Sequence, residues 1–269
     1  MPPAFRIMGI VNVTPDSFSD GGEWFDRQAA VVHGHQLVAE GATILDVGGE
    51  STRPFSDPVP LEEERDRVVP VIEALTATGA QLSVDTMKLE VARAAIAAGA
   101  TYVNDVTAFR HEPAIAALVA EHGCDCCLMH MLGEPKTMQV DPRYDDVVSE
   151  VKAFLEDRAA FAVGEGIAEE RITVDPGIGF GKSVEHNLEL LRRLDEIVAL
   201  GFTVMVGTSR KGFLGRLVGR EDPHDRVAAT VATNVLALER GAEVFRVHDV
   251  AATADALTVA AATLRGHAA

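Results

Sequence analysis

Short apolar runs alternate along the chain with longer, Ala-rich segments of helical period. The short runs are rich in Val, Ile and Leu, which is typical of strands buried on both faces of a parallel sheet. In the longer segments apolar residues share one helix face, as Val91, Ala95 and Ala98 do. Eight such strand and helix units are predicted, with strands at residues 7–12, 44–47, 82–85, 102–105, 126–130, 172–175, 203–206 and 244–247.

Glycines mark the ends of the predicted helices. Helix C-termini often need a residue that tolerates positive φ, and a glycine stands two to five residues before five of the strands. These are Gly41, Gly99, Gly123, Gly201 and Gly241. Eight units close more naturally into a (β/α)8 TIM barrel than into an open doubly wound sheet, which is the structural alternative. The 269 residues contain no linker or composition shift, so a single α/β domain over residues 1–269 is predicted.

Composition excludes several classes of function. Hydrophobic residues make up 47% of the chain, yet no apolar run approaches the roughly 18 residues of a membrane-spanning helix. Residues 1–6 lack the features of an export signal, so a cytoplasmic protein is expected. A formal charge of −17 is the wrong sign for a nucleic-acid binder. An anionic ligand would therefore need a local cluster of cationic donors.

Three cysteines lie within four positions, and two histidines stand nearby. Cys124, Cys126 and Cys127 with His122 and His130 raise the possibility of a metal cluster. However, adjacent side chains in a strand point to opposite faces, which separates Cys126 from Cys127. We therefore expect these cysteines to be buried structural thiols.

Polar residues collect at the carboxyl ends of the predicted strands, where barrels of this kind place their active sites. A single strand-terminal Asp or Asn could simply cap the next helix. Capping does not explain why several cationic residues converge on the same rim. The residues concerned are Asn12, Asp46, Asp85, Asn104, Asp105, His130, Asp175, Ser209, Arg210, Lys211, Arg246, His248 and Asp249, with Arg53 on a following loop.

A glycine-rich segment after the sixth strand, residues 176–183, superficially suggests a nucleotide loop. Pro176 occupies the position where a Walker A loop needs glycine, and the spacing does not fit G-x-G-x-x-G. The glycines are interpreted as letting backbone approach a flat ligand beside Asp175. Neither H-E-x-x-H nor G-x-S-x-G occurs, so the sequence lacks the motifs of zinc-dependent hydrolysis and of acyl transfer through a serine.

The rim residues suit a heterocycle that carries an anionic group. A carboxylate such as Asp175 can accept two parallel N–H bonds from a guanidine-like ring edge. Asn104 offers both a donor and an acceptor to such a ring. Arg246 and His248 flank one residue of the last strand, and with Asn12 from the first strand they predict an anion site.

At these residues the sequence resembles the dihydropteroate synthase family, from about Phe5 to about Leu264. Each motif is weak alone, but the ordered set is specific. The motifs are Gly9-Ile-Val-Asn-Val-Thr-Pro-Asp-Ser-Phe-Ser-Asp-Gly-Gly22, Asp46-Val-Gly-Gly-Glu-Ser-Thr-Arg-Pro54, Ser83-Val-Asp-Thr86, Asn104-Asp-Val-Thr107, Leu128-Met-His-Met131, Asp175-Pro-Gly-Ile-Gly-Phe180, Ser209-Arg-Lys211 and Arg246-Val-His-Asp-Val250.

The resemblance implies a transferase of folate biosynthesis that joins 6-hydroxymethyl-7,8-dihydropterin diphosphate to 4-aminobenzoate with the help of Mg2+. It also implies a homodimer and a sulfonamide target. The catalytic positions are Asp85, Asp175 and Lys211, and the pterin-binding positions are Asp85, Asn104, Asp175 and Lys211. The diphosphate-binding positions are Asn12, Thr52, Arg246 and His248, with Asn12 also a metal ligand. The aminobenzoate-binding positions are Thr52, Arg53, Pro54 and Lys211, and Phe18 and Ser19 belong to the first loop.

Two residues depart from the family pattern. Gly212 stands where many members have Ser, and Phe55 stands where Gly is usual. Both departures concern the aminobenzoate side of the site and leave the pterin positions intact. Two alternatives therefore stay open, a methyltransferase that uses methyltetrahydrofolate and a non-catalytic pterin-binding relative. The first would not need the Ser209-Arg-Lys211 run or the diphosphate cluster.

Overall fold

The computed structural model is a closed barrel of eight parallel strands, and it describes residues 5–13, 22–51, 57–133 and 137–265. Each strand pairs with its neighbours in sequence, and the last strand pairs with the first to close the barrel. Parallel strands need crossover connections of about a dozen residues or more, which the helices between the strands provide. The predicted (β/α)8 barrel is therefore confirmed.

All eight predicted strands are present, each within one residue of its predicted ends. They are β1 (Arg6–Asn12), β2 (Ile44–Gly48), β3 (Gln81–Asp85), β4 (Tyr102–Asp105), β5 (Asp125–Met129), β6 (Ile172–Asp175), β7 (Thr203–Val206) and β8 (Val244–Val247). The largest difference is at β5, which ends at Met129, so His130 lies just beyond the strand.

Helices follow each strand and form the outer layer. They are α1 (Gly22–Ala39), α2 (Leu61–Leu75), α3 (Leu89–Ala97), α4 (Ala114–His122), α5 (Val147–Gly164), α6 (Val184–Arg192), α7 (Leu194–Val198), α8 (Gly212–Val218), α9 (Val227–Glu239) and α10 (Val250–Arg265). The five glycines predicted near helix ends all have positive φ, as Gly123 does after α4 with a φ of +60°. In the part of the chain described, no helix is long and apolar enough to cross a membrane.

The barrel interior has an apolar layer below a polar one. The apolar layer consists of Met8, Ile44, Tyr102, Cys127, Met205 and Val244, which are all fully buried. Side chains alternate across a strand, so the next inward position lies two residues further along. From Ile44, Tyr102 and Val244 that step reaches Asp46, Asn104 and Arg246, and the apolar layer therefore supports a polar layer at the carboxyl rim.

The cysteines are packing residues, as predicted. Cys127 lies in the apolar layer inside the barrel, whereas Cys126 belongs to the core between the strands and the helices. All three cysteines are buried and free, and burial raises the pKa of Cys127 well above its ordinary value. Among the residues that the structure describes, no group of three or more His, Cys, Asp or Glu could hold a metal ion.

Candidate active site

Asp46 is the hub of the polar layer at the carboxyl rim. It is completely buried and accepts hydrogen bonds from Ser83 Oγ at 2.5 Å and Asn104 Nδ2 at 2.9 Å. The oxygen that accepts from Asn104, Oδ2, also accepts from Arg246 Nε at 2.6 Å. Strands β2, β3, β4 and β8 are thereby joined through one carboxylate. The sequence placed Asp46 on this rim, but its central position depends on the barrel register.

Arg246 connects Asp46 to Asp85. Its Nη2 donates to Asp85 Oδ2 at 2.7 Å, while its Nε donates to Asp46. Burial raises the pKa of Asp85 to about 7, an effect that Arg246 opposes and the neighbouring Asp46 carboxylate reinforces. Burial alone would lower the pKa of Arg246, but the two carboxylates raise it. A predicted pterin residue and a predicted diphosphate residue are thus bonded to each other.

Asp175 ends β6 and faces the same interior. It is 4% exposed, and its Oδ1 accepts the backbone N–H of Gly177 at 2.7 Å. Burial raises the pKa of Asp175, and the positive charge of Lys211 is the largest effect that opposes it. Gly207 leaves space beside the carboxylate, since a Cβ there would lie 3.9 Å from Asp175 Oδ2 and 3.8 Å from Arg246 Cβ.

Lys211 reaches the Asp175 side of the rim from the loop after β7. Its Nζ donates to the carbonyl oxygen of Ile178 and lies 4.5 Å from the centroid of the Phe180 ring. Burial lowers the pKa of Lys211 to about 8, and Asp175 opposes this shift. Most Lys211 side chains would carry a positive charge at neutral pH.

The loops after β7 and β8 are fastened to each other. Arg210 adopts a left-handed φ of +58° and donates to both carboxylate oxygens of Asp249, at 2.9 and 2.6 Å. Ser209 Oγ lies 2.9 Å from His248 Nδ1 and accepts the His248 backbone N–H at 3.1 Å. A bidentate pair of this kind fixes orientation as well as position. His248 is therefore held at the rim beside the end of β8.

The remaining predicted site residues are Asn12 and five positions that follow β1 or β2 in the sequence. Asn12 is the last residue of β1 and is partly exposed at the rim. Five predicted positions lie outside the described residues, as does the unusual Phe55; the five are Phe18, Ser19, Thr52, Arg53 and Pro54.

The glycines after β6 allow neighbouring parts of the protein to pack closely against this loop. Gly177 has a φ of +67°, and a Cβ there would lie 1.8 Å from the carbonyl oxygen of His130. A Cβ on Gly179 would lie 2.9 Å from Lys211 Cδ. That these glycines also let backbone approach a ligand, as interpreted from the sequence, stays a prediction. They are required for the β6 loop to pack against the ends of β5 and β7.

Side-chain donors fix successive carbonyl groups of this β6 loop, residues 176–182. The four donor and acceptor pairs are Lys211 Nζ to Ile178 O, Gln139 Nε2 to Gly179 O at 2.6 Å, Lys182 Nζ to Phe180 O at 3.0 Å, and Tyr144 Oη to Gly181 O at 2.9 Å. Such complete pairing removes alternative backbone conformations, because each would leave buried carbonyls unpaired. The wall of the site beside Asp175 is thus formed in advance of any ligand.

We expect Gly177→Ala to lower the free energy of unfolding by about 3 kcal/mol, from left-handed strain and overlap with the His130 carbonyl. Gly79→Ala is the matched control, because Gly79 has a φ of +77° but open space around it. The control should lose only about 1 kcal/mol. Urea unfolding of both variants measures the difference, and equal losses would contradict the packing explanation.

A buried ion cluster joins residues on either side of the 52–56 segment and was not predicted. Lys88 Nζ donates to Glu50, to Glu64 and to the carbonyl oxygen of Val59 at 2.7 Å. Glu64 is 1% exposed and also accepts from Thr86 Oγ1 at 2.6 Å. Burial raises the pKa of Glu64, while the hydrogen bonds from Lys88 and Thr86 oppose that shift. Lys88 therefore ties β3 to residues on both sides of the 52–56 segment.

Lys88→Met should lower the free energy of unfolding by about 2 to 3 kcal/mol, because it leaves the buried Glu64 carboxylate without its cation. Arg93→Met provides the control, since the ion pair of Arg93 with Glu90 is more than half exposed on both sides. That control should cost less than about 1 kcal/mol. Similar losses in the two variants, measured by urea unfolding, would show that Lys88 is an ordinary surface cation.

Comparison with known proteins agrees with this site. The model of the pterin binding enzyme family matches residues 8–248. Dihydropteroate synthase of Neisseria meningitidis serogroup C is 48% identical over 255 residues, covering 94% of this chain and 90% of that protein. The Escherichia coli K12 dihydropteroate synthase is 46% identical over 260 residues, covering 96% and 92%.

Solved structures of the same enzyme are also similar. The Xanthomonas albilineans dihydropteroate synthase with 4-aminobenzoic acid has a TM-score of 0.91 and 54% identity, covering 96% of this chain and 92% of that one. Its complex with 7,8-dihydropteroate has a TM-score of 0.87 at 52% identity, covering 96% and 93%. The family match spans every strand except the first two residues of β1 and includes all the rim residues except Asp249. The chain therefore belongs to the dihydropteroate synthases of the pterin-binding enzyme family.

Proposed function

We propose that the carboxyl rim of this barrel binds 6-hydroxymethyl-7,8-dihydropterin diphosphate and transfers its pterin methylene group to 4-aminobenzoate. The amine nitrogen attacks the methylene carbon, the carbon–oxygen bond to the diphosphate breaks, and the amine loses a proton. The products are 7,8-dihydropteroate and pyrophosphate. The observation that supports this most is the convergence of Asp85, Asn104 and Asp175 with Arg246 and Lys211 on one rim.

The pterin ring would bind beside Asp175 and Asn104. Asp175 keeps acceptor capacity beyond its bond to the Gly177 N–H, and the ring edge can donate two hydrogen bonds to it. Asn104 Nδ2 donates to Asp46, which orients the amide so that its Oδ1 can accept from the ring. Asp85 and Lys211 would complete the pocket. Donors and acceptors fixed in advance lower the entropy cost of binding.

The diphosphate would lie near Arg246 and His248, with Asn12 and Thr52 as further contacts. Mg2+ commonly uses one or two protein oxygens and completes its shell with water and substrate phosphate oxygens. The Asn12 side chain at the end of β1 offers one such oxygen donor, so the residues present fit this ion. When bound, Mg2+ would neutralise charge on the departing diphosphate. Arg246 and His248 would orient the diphosphate for departure.

The aminobenzoate would bind at the outer side of the pterin, at Lys211 with Thr52, Arg53 and Pro54. Lys211 has a pKa of about 8, so its ammonium could pair with the aminobenzoate carboxylate at neutral pH. The solved aminobenzoate complex of the Xanthomonas albilineans relative supports this substrate class. Phe18 and Ser19 would belong to the first loop over the site. The aminobenzoate amine is itself a nucleophile, so no strong general base is needed.

Positive charge develops on the pterin methylene as the diphosphate leaves. Carboxylates held in place before reaction can stabilise such charge without reorganisation. Asp175 and Asp85 are both fixed by hydrogen bonds within the protein, so they are suited to that task. Water must be kept from the cation, because it would otherwise give the pterin alcohol.

We also propose that the chain acts in the cytoplasm as a homodimer. Helices α9 and α10 pack against each other, and both carry exposed apolar side chains, including Leu236, Val259 and Leu264, which are about half exposed or more. Pairing of this surface with a second copy would cover them. Light scattering of the purified chain should give twice the mass of 28.7 kDa. A monomer at micromolar concentration would refute this part of the proposal.

Turnover with both substrates tests the proposed reaction. The purified chain with Mg2+ should convert the pterin diphosphate and 4-aminobenzoate to dihydropteroate and pyrophosphate in equal amounts. A methyltransferase would instead consume methyltetrahydrofolate, and a non-catalytic relative would bind pterin without releasing pyrophosphate. Either of those results would replace the proposal with the corresponding alternative.

A further inference from the structure

We propose that Lys182 is a positioning residue whose buried ammonium holds the Asp175 turn in place and keeps the Asp175 carboxylate ionised for pterin binding. This inference rests on the proposed function in so far as Asp175 receives the pterin ring. Lys182 lies seven residues after Asp175, at the end of the β6 loop, and only 2% of it is exposed. It is among the largest fully buried side chains of the protein.

The Lys182 ammonium is enclosed by three acceptors from two loops. Its Nζ lies 2.9 Å from His130 Nδ1, 3.0 Å from the carbonyl oxygen of Phe180 and 3.4 Å from that of His130. An ammonium has three donors, so this environment matches its capacity. His130 is neutral, because burial and the charges of Lys182 and Arg110 lower its pKa to about 2. Its Nδ1 therefore accepts a hydrogen bond from Lys182.

The same ammonium lies directly behind the Asp175 turn. A Cβ on Gly177 would be 3.4 Å from Lys182 Nζ, and the Gly177 N–H is the group that donates to Asp175 Oδ1. The His130 N–H donates to the Asp175 carbonyl at 3.0 Å. Lys182 thus contacts His130, which fixes the Asp175 backbone, and its Nζ lies on the side of Gly177 where a Cβ would project. Removing it would loosen the turn from the β5 side.

The charge of Lys182 favours the ionised form of Asp175 because both groups are buried. Burial lowers the pKa of Lys182 well below its ordinary value, and the Asp175 carboxylate opposes that shift. Conversely, burial raises the pKa of Asp175, and Lys211, Lys182 and Arg246 oppose the rise. A buried cation stays charged only beside a compensating anion, so each group supports the ionised form of the other. Lys211 and Arg246 also face the proposed substrates, whereas Lys182 is buried behind the loop and contacts none of them.

The first experiment measures the ionisation of Asp175 directly in the full chain. The carboxyl carbon resonance of Asp175, assigned by its loss in Asp175→Asn, is followed by NMR during a pH titration of wild type and Lys182→Met. The pKa of Asp175 should rise by about 1 unit or more in the variant, as expected when a buried carboxylate loses a neighbouring positive charge. Lys182→Gln, which keeps a donor for Phe180 but no charge, should behave similarly. Lys182→Arg should stay close to wild type.

The titration of Asp175 can be distinguished from the titrations of the other groups that face it. His130 is neutral and Cys127 remains a thiol over the pH range 5 to 7, while Lys211 titrates above that range. Asp85, with its pKa near 7, titrates within it, but its resonance survives in Asp175→Asn and can be followed there. Lys152→Met, on α5, controls for removal of any lysine charge. It should leave the titration of Asp175 unchanged.

The second experiment connects this ionisation to the ligand. Calorimetric titration with 6-hydroxymethylpterin at pH 6 should show binding about tenfold weaker in Lys182→Met than in wild type, and closer to wild type at higher pH. In the Asp175→Asn background the same substitution should have no further effect, because Lys182 acts through Asp175. Failure of wild type to bind the pterin would refute the proposed function and leave the NMR test standing. An unshifted Asp175 titration in folded Lys182→Met and Lys182→Gln would overturn the Lys182 proposal.

Discussion

Asp175→Asn should weaken pterin binding by about 2 to 4 kcal/mol, or roughly 30- to 700-fold, and should abolish detectable turnover. The substitution preserves shape but replaces one acceptor oxygen with an amide group that meets the ring N–H donors. The Gly177 N–H can still bond to the remaining oxygen, so the β6 loop should keep its structure. The weaker binding would therefore reflect lost contacts with the pterin ring and not unfolding of the protein.

Calorimetry with the pterin, together with thermal unfolding of the same samples, provides the measurement. Asp125→Asn is a suitable control, because Asp125 begins β5 at the opposite end of the barrel and bonds to Gln81 and Arg171. The control should bind the pterin as wild type does. Unchanged pterin affinity in folded Asp175→Asn would count decisively against the assignment of Asp175.

Arg246→Met should both lower the free energy of unfolding and weaken diphosphate binding, and it is the second variant with a large expected effect. The guanidinium is shared by the buried carboxylates of Asp46 and Asp85, so its loss leaves two acidic groups close together without a cation. Breaking a buried ion pair from one side typically costs about 3 to 5 kcal/mol of unfolding free energy. Arg246→Lys should recover little, since a single ammonium cannot reproduce the planar two-sided contact.

The sign of the pH dependence gives a further check on Arg246→Met. The pKa of Asp85 in the folded protein is already raised to about 7, above its ordinary value in an unfolded chain. A carboxyl with a raised folded pKa favours the folded state at low pH and loses that contribution as pH rises through the folded pKa. Without Arg246 this pKa should rise further. The variant should therefore recover part of its lost stability at pH 5.5 relative to pH 7.5.

A second substitution distinguishes charge from packing in this cluster. Asp85→Asn combined with Arg246→Met removes one of the two unpaired charges and should be more stable than Arg246→Met alone. Urea unfolding of wild type, both single variants and the double variant completes the cycle. A double variant no more stable than Arg246→Met would mean that the lost stability comes from packing of the arginine and not from the unpaired buried carboxylates.

Much of the fold could be predicted because a parallel barrel repeats one signal eight times. Each strand is buried on both faces, so it appears as a mainly apolar run, and a glycine marks the helix end before five of the strands. The rim residues could be predicted for the same reason, since a strand that ends in a polar residue delivers it to one end of the barrel. The predicted β5 lies one residue too far toward the C-terminus, because the apolar residue Met131 follows soon after the observed end of the strand.

The partnerships within the site could not be predicted, because they join residues far apart in the chain. Arg246 and Asp46 are 200 positions apart, and their contact depends on the closure of β8 onto β1. Lys182 was considered only as part of a nucleotide-loop pattern, and its burial against His130 depends on how the β6 loop folds back. The Lys88 cluster likewise joins α2 to residues on both sides of the 52–56 segment, and of its members only Glu64 has a local sequence feature, the acidic first turn of α2.

The most direct test of the whole account is a crystal structure of this chain with the pterin diphosphate and Mg2+. The account predicts that the N–H groups of the pterin ring edge lie at hydrogen-bond distance, about 2.7 to 3.1 Å, from the Asp175 carboxylate, with the diphosphate beside Arg246 and His248. A pterin ring bound away from Asp175 and Asn104, or a diphosphate bound at Asp175, would contradict it.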